Sequence, residues 1–161
     1  MKSRALLLAL VLVSVAGAQR RNKEIVKPPQ TDLPFLVHAD NLLPTEKAEA
    51  QEDTSKKNQK RYWVAGASSS AKTPLAGPEF LFQGETIDPR SLSLFAFGVR
   101  NGQREVIFLE KKKKKSAKPI FTSIHPVGEG VVKIRVDASL KTGEYCWTPQ
   151  GLNEVFCFSV F

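Results

Sequence analysis

The chain has 161 residues, is 42% hydrophobic and 25% charged, and carries a formal net charge of +8 with two cysteines and two histidines. That length supports one domain with a real hydrophobic core. The basic balance favours acidic surfaces, glycans or lipid headgroups, although its first effect is on solubility. The spacing of Cys146 and Cys157 matches neither a CxxC redox motif nor a structural zinc site.

In chain order, residues 1–18 read as a secretory signal peptide. Lys2 and Arg4 form the positive start, residues 5–17 are almost continuously apolar, and Ala16-Gly17-Ala18 supplies a small-residue cleavage site. The apolar run is shorter than the roughly 20 residues a membrane-spanning helix needs. No transmembrane span is therefore expected after cleavage, and no cysteine follows to carry a lipid anchor. Cleavage leaves a chain starting at Gln19, with a charge of about +6 after losing Lys2 and Arg4, in a secreted or periplasmic setting.

Residues 19–60 are polar and broken by Pro28, Pro29, Pro34 and Pro44. They read as a flexible, charged arm with one apolar patch at residues 33–37 and a second at Leu42 and Leu43. Residues 46–60 have no apolar helical face, so a short helix capped by Thr45 or plain disorder is expected there. The patch around Phe35 suits an extra strand, a lid on the domain or a docking peptide.

From Arg61 the pattern turns to strands and continues to Phe161. Tyr62-Trp63-Val64-Ala65 begins the series, residues 66–73 form a small, hydroxylated loop, and residues 79–83 form a short aromatic strand. Residues 91–111 form a hairpin about Asn101-Gly102, the signature of a type I′ turn. In that register Val99 opposes Arg104, Phe97 opposes Val106 and Phe95 opposes Phe108. Both faces are largely apolar, so the hairpin is expected to be central and covered on both sides. Two further strands occupy residues 120–124 and 131–136. In the second, Val132, Ile134 and Val136 point one way while Lys133 and Arg135 point the other.

A final hairpin spans residues 144–161. With its turn centred between Gly151 and Leu152, Cys146 faces Cys157, Tyr145 faces Phe158 and Trp147 faces Phe156. One face is then an aromatic ladder and the other presents two cysteines placed for a disulfide. Eight candidate strands with Gly- and Pro-containing turns give an all-β fold, a β-sandwich in preference to a small β-barrel.

Leu140, Gly143 and Tyr145 in the order Leu-x-x-Gly-x-Tyr resemble the tyrosine corner of immunoglobulin-like sandwiches. The resemblance covers about eight residues and implies topology alone. It departs at Trp147, where antibody-type domains carry the second cysteine, so their inter-sheet disulfide does not transfer.

Lys111, Lys112, Lys113, Lys114, Lys115 and Lys118 form a run that belongs on a solvated loop and suits contact with an anionic glycan or lipid surface. Nucleic acid is not expected, since the run lacks interleaved aromatic residues. His38 and His125 are remote from each other, and Asp40, Glu46 and Glu49 add only scattered oxygens, so no metal or cofactor is expected. Ser68, Ser69 and Ser70 lack a nucleophile-elbow setting, and Gly128 to Gly130 is a turn without a phosphate-loop pattern. No catalytic residues stand out. The sequence therefore reads as a non-catalytic envelope module that packs against another protein, with strand addition from its arm as one mode. Anionic-surface binding and a small hydrolase with a loop-built site are the alternatives.

Overall fold

The computed structural model describes residues 26–111 and 114–161. The expected leader, the first part of the expected arm and Lys112 and Lys113 lie outside the described residues. The fold is all-β, with thirteen strands in two sheets among the described residues.

The first sheet contains β1 (Phe35–His38), β2 (Asn41–Pro44), β7 (Glu79–Gln83), β10 (Thr122–Gly128) and β11 (Val131–Val136). Its order is β10-β11-β7-β1-β2, antiparallel throughout. Inward Phe80, Phe82, Ile134 and Val136 are buried, while Lys133 and Arg135 both pair with Glu79 on the outer face, at 3.0 and 3.2 Å.

The second sheet contains β3 (Glu46–Glu49), β4 (Gln51–Asp53), β5 (Gln59–Ala65), β8 (Leu92–Arg100), β9 (Gln103–Leu109), β12 (Gly143–Pro149) and β13 (Glu154–Val160). It runs β3-β13-β12-β8-β9-β5-β4, with the two-residue β6 (Lys72–Thr73) added parallel to β13. Its two outermost strands, β3 and β4, are separated in the chain by Ala50 alone. One nearly continuous strand therefore pairs with β13 through its first half and with β5 through its second. This path bends the sheet almost closed, into a barrel that leaves little free edge.

The two sheets share a core because strand alternation sends neighbouring residues to opposite faces. Trp147, Phe156 and Phe158 on one face of the second sheet meet Phe80, Phe82 and Leu36 of the first. Phe80 lies edge-on to Trp147 with centroids 5.2 Å apart and tilts against Phe158 at 5.0 Å, favourable aromatic geometries. The opposite face of the second sheet points into the barrel and carries Val64, Val106, Val155, Cys146 and Cys157. The chain thus has features of both a sandwich and a barrel.

Two sequence expectations are corrected here. Residues 46–60, expected as a capped helix or disorder within a flexible arm, form β3 and β4 and enter β5, so no boundary falls at Arg61; the patch around Phe35, for which an extra strand was one expectation, forms β1. Leu36 is 1% exposed, which removes residues 33–37 as a docking peptide. The physical reason is that residues 46–50 alternate with period two. Glu46, Ala48 and Ala50 lie inward, where the barrel wall needs small residues rather than an apolar helical stripe. Thr45 donates to the Pro34 carbonyl at 2.8 Å instead of capping a helix. Upstream, the Asp32 carboxylate accepts N–H bonds from Glu85, Thr86 and Ile87, which fastens the segment to the loop after β7.

The second correction concerns the hairpin of β8 and β9. Asn101 and Gly102 both have positive φ, 51° and 72°, as a type I′ turn requires, and Val99 pairs with Arg104. The ladder stops at Gly98–Glu105, so the expected pairs Phe97–Val106 and Phe95–Phe108 are not formed across it. The strands splay, and residues 116–120 fill the gap. Ala117 bonds to the Ile107 carbonyl at 3.0 Å and Ile120 to the Leu94 carbonyl at 2.8 Å. Phe95 and Phe108 still touch edge-to-face, 5.3 Å apart.

The β12–β13 register pairs Cys146 with Cys157, Tyr145 with Phe158 and Trp147 with Phe156, as expected from the turn position. The cysteines are disulfide-bonded and fully buried. Replacing both by alanine is expected to lower stability by up to about 3 kcal/mol, the loop-closure contribution of a short loop. Urea unfolding measures this. A change well below 1 kcal/mol would show that the aromatic ladder alone holds the hairpin.

Candidate functional site

The barrel interior has two chemically distinct ends, set by residues two apart along each strand. On β12 the inward positions run Glu144, Cys146, Thr148; on β13 they run Ser159, Cys157, Val155; on β9 they run Arg104, Val106, Phe108. On β3 and its continuation they run Glu46, Ala48, Ala50. The β3, β9 and β13 series pass from charged or hydroxylated to apolar or small, and β12 passes from Glu144 to the uncharged Thr148, so the charged groups gather at one end and a cavity forms at the other.

At the polar end Arg104 is 1% exposed. Its guanidinium donates to Glu46 at 2.6 Å and to the carbonyls of Gly66 and Ala65 at 3.0 and 2.8 Å. Its Nη1 faces Glu144 at 3.9 Å and has no hydrogen-bond partner among the described residues. Glu144 accepts from the Ser159 hydroxyl at 2.6 Å and the Ser69 N–H at 2.8 Å, while Ser69 Oγ donates to the Cys157 carbonyl. The loop of Ser68, Ser69 and Ser70 is thereby drawn over this end. These serines serve as hydrogen-bonding plugs. None is paired with a histidine, since His125 is exposed and contacts Ser123 at 3.1 Å.

Burial acts to raise the Glu46 pKa. The hydrogen bonds from Arg104, the Ser70 N–H and Ser69, together with the guanidinium charge, outweigh it and hold the carboxyl below its ordinary value of 4.5.

At the opposite end a cavity of about 330 Å³ opens between the β12–β13 turn and the barrel wall. Tyr62, Phe97, Val106, Phe108 and Val155 line it, with Thr148 and Asn153 as polar members. Tyr62 and Phe108 meet edge-on, 5.9 Å apart. Ala50 ties to the turn by its N–H, 2.7 Å from the Asn153 carbonyl.

Other residues singled out in the sequence lie elsewhere. Lys111, Lys114, Lys115 and Lys118 are exposed on the loop between β9 and β10. Tyr145 Oη donates to the Lys141 carbonyl at 2.7 Å, and Leu140 is buried in the inter-sheet core beside it. Gly143 begins β12. His38 and Asp40 flank the tight β1–β2 turn and are exposed. Among the described residues no group of three or more His, Cys, Asp or Glu is placed to hold a metal ion. No described helix is long and apolar enough to cross a membrane.

Sequence reasoning missed the Arg104–Glu46–Glu144 cluster and the cavity. A signal for the first was present: Arg104 and Glu144 occupy the inward parity shared with Val106 and Cys146. No family model matches this chain, and neither a curated protein nor a solved structure matches it.

Removing the guanidinium strands two carboxylates at a desolvated end, so Arg104→Ala is expected to cost about 3–5 kcal/mol in urea unfolding at neutral pH. Folding lowers the Glu46 pKa, so its contribution is complete above about 4.5 and is lost as pH falls through the folded-state value. Stability should therefore fall as pH drops below about 4.5. Glu46→Gln should be less stable at neutral pH and show a shallower acid loss; an unchanged slope would remove Glu46 from this account.

Proposed function

We propose that the chain is a secreted or periplasmic, non-catalytic β-domain that acts as a structural or protein-interaction module of the cell envelope. The observation that carries this reading is the buried Cys146–Cys157 disulfide, a bond that persists in oxidising compartments. It agrees with the leader expected at residues 1–18. A non-catalytic role is supported by the polar cluster, whose carboxylates are consumed in neutralising Arg104. The immunoglobulin-like reading is supported by the Tyr145–Lys141 bond at 2.7 Å, the feature of a tyrosine corner. Since β1 is locked in the first sheet, a partner would meet outer strands such as β2 and β10 rather than a donated arm.

Expression of the full chain in a bacterial periplasm tests the compartment. Intact mass should show loss of residues 1–18 and two protons fewer than the reduced chain. An uncleaved leader with two free thiols would overturn it.

A second reading, contact with an anionic surface, is favoured by the exposure of Lys111, Lys114, Lys115 and Lys118 on one loop. Binding to vesicles containing anionic lipid, or to heparin, should weaken steeply as salt rises, because exposed charges are screened. Changing Lys114, Lys115 and Lys118 to serine should abolish most of it without altering the fold. Salt-insensitive binding, or none at all, would assign the run to solubility.

A further inference from the structure

We propose that the barrel cavity is a binding site for a small, neutral, single-ring aromatic molecule carrying one hydroxyl or comparable hydrogen-bonding group. This goes beyond the envelope-module reading and rests on separate observations.

The first is position. Ligand sites in β-barrels lie at the mouth, above side chains that fill the rest of the interior. Here the Arg104 cluster occupies one end, the Cys146–Cys157 disulfide and Val64 belong to the same inward face, and the cavity takes the remaining end. The site is thus blind, with the half-exposed Leu152 at its rim.

The second is size. A volume of about 330 Å³ sits at the low end of the roughly 300–1,000 Å³ typical of small-molecule pockets. It suits one ring with a short substituent better than a lipid chain or a sugar oligomer. The inward Ala50 leaves its part of the wall unfilled, although neighbouring lining positions carry larger groups.

The third is chemistry. No lining residue bears a formal charge, so an ionic ligand would lose its hydration without compensation. Phe95 meets Phe108 edge-on, and Phe108 meets Tyr62 edge-on, at 5.3 and 5.9 Å. A ligand ring extends this edge-to-face series, an arrangement favourable beyond simple area burial. Burial, the neighbouring Glu52 carboxylate and a hydrogen bond to it push the Tyr62 phenol up, so its oxygen keeps a lone pair that can accept from a ligand hydroxyl. Asn153, with its amide, and Thr148, whose hydroxyl donates to the Ser93 carbonyl at 3.2 Å, complete the polar complement.

The test is titration of the full-length, disulfide-intact protein with p-cresol, toluene and benzoate, followed by NMR at the methyls of Val106, Val155 and Leu152. p-Cresol should shift these methyls with a Kd below about 1 mM. Benzoate, a charged ring of similar size, should bind at least about tenfold more weakly. Tyr62→Phe should weaken p-cresol several-fold while leaving toluene unchanged, which separates the hydrogen bond from cavity shape. Val106→Phe, which fills the cavity, should reduce p-cresol affinity at least about tenfold; Ala50→Leu serves the same purpose if that variant does not fold. Equal binding of benzoate and p-cresol, shifts confined to methyls outside the cavity, or undiminished affinity in a folded, filled variant would overturn the proposal. Absence of any shift with all three compounds would assign the space to loose packing. None of these outcomes bears on leader cleavage, so the envelope reading stands or falls separately.

Discussion

A guanidinium with almost no contact with water has to be neutralised where it lies, and that requirement organises the barrel. Arg104 on β9 draws Glu46 from β3, faces Glu144 on β12 and takes two carbonyls from the end of β5 and the turn that follows. Segments from both ends of the chain must be in register before the charge is balanced. A one-residue slip in any strand would turn its contribution outward, since strand side chains alternate between faces. Buried ion pairs add little net stability compared with apolar packing. Here the geometric demand matters more than the energy: few alternative pairings of these strands satisfy the same positive charge.

The second sheet is read from both sides. Its outer face presents Trp147, Phe156 and Phe158 to the first sheet, and its inner face presents the disulfide, valines and polar groups to the barrel. The consecutive apolar character of residues 155–158 follows from this double burial, as expected for strands covered on both faces. The first sheet is simpler. Its outer side keeps charged residues such as Lys133, Arg135 and Glu79 near solvent.

Strong local patterns were legible in the sequence. Asn101-Gly102 located a turn, and the cysteine spacing with flanking aromatics located the register of the last hairpin down to the residue. The aromatic strand at residues 79–83 was equally plain. What remained hidden depends on distant partners. Residues 46–53 look like a solvated segment because the face shared by Glu46, Ala48, Ala50 and Glu52 is made of alanine and glutamate, and the bonds of the first half come from β13, far along the chain. The splaying of β8 from β9 is invisible in either strand, since the wedge arrives from residues 116–120. Arg104 was placed opposite Val99 but not recognised as interior, because its counter-charges lie 58 positions before it and 40 after it. The cavity is a property of assembled walls and has no sequence motif.

Closure of the barrel by an early strand also sets an order of events. During synthesis β3 emerges long before β13, the neighbour to which it bonds, and β4 pairs only once β5 exists. The last hairpin, by contrast, closes within a few residues of itself. Such a chain has many contacts of long sequence separation, which slows folding relative to locally connected topologies. Until β13 is available, the alanine and glutamate positions of β3 make a polar, unpaired strand rather than a sticky one. The composition that disguised this segment as a loop is therefore the composition that lets it wait without aggregating.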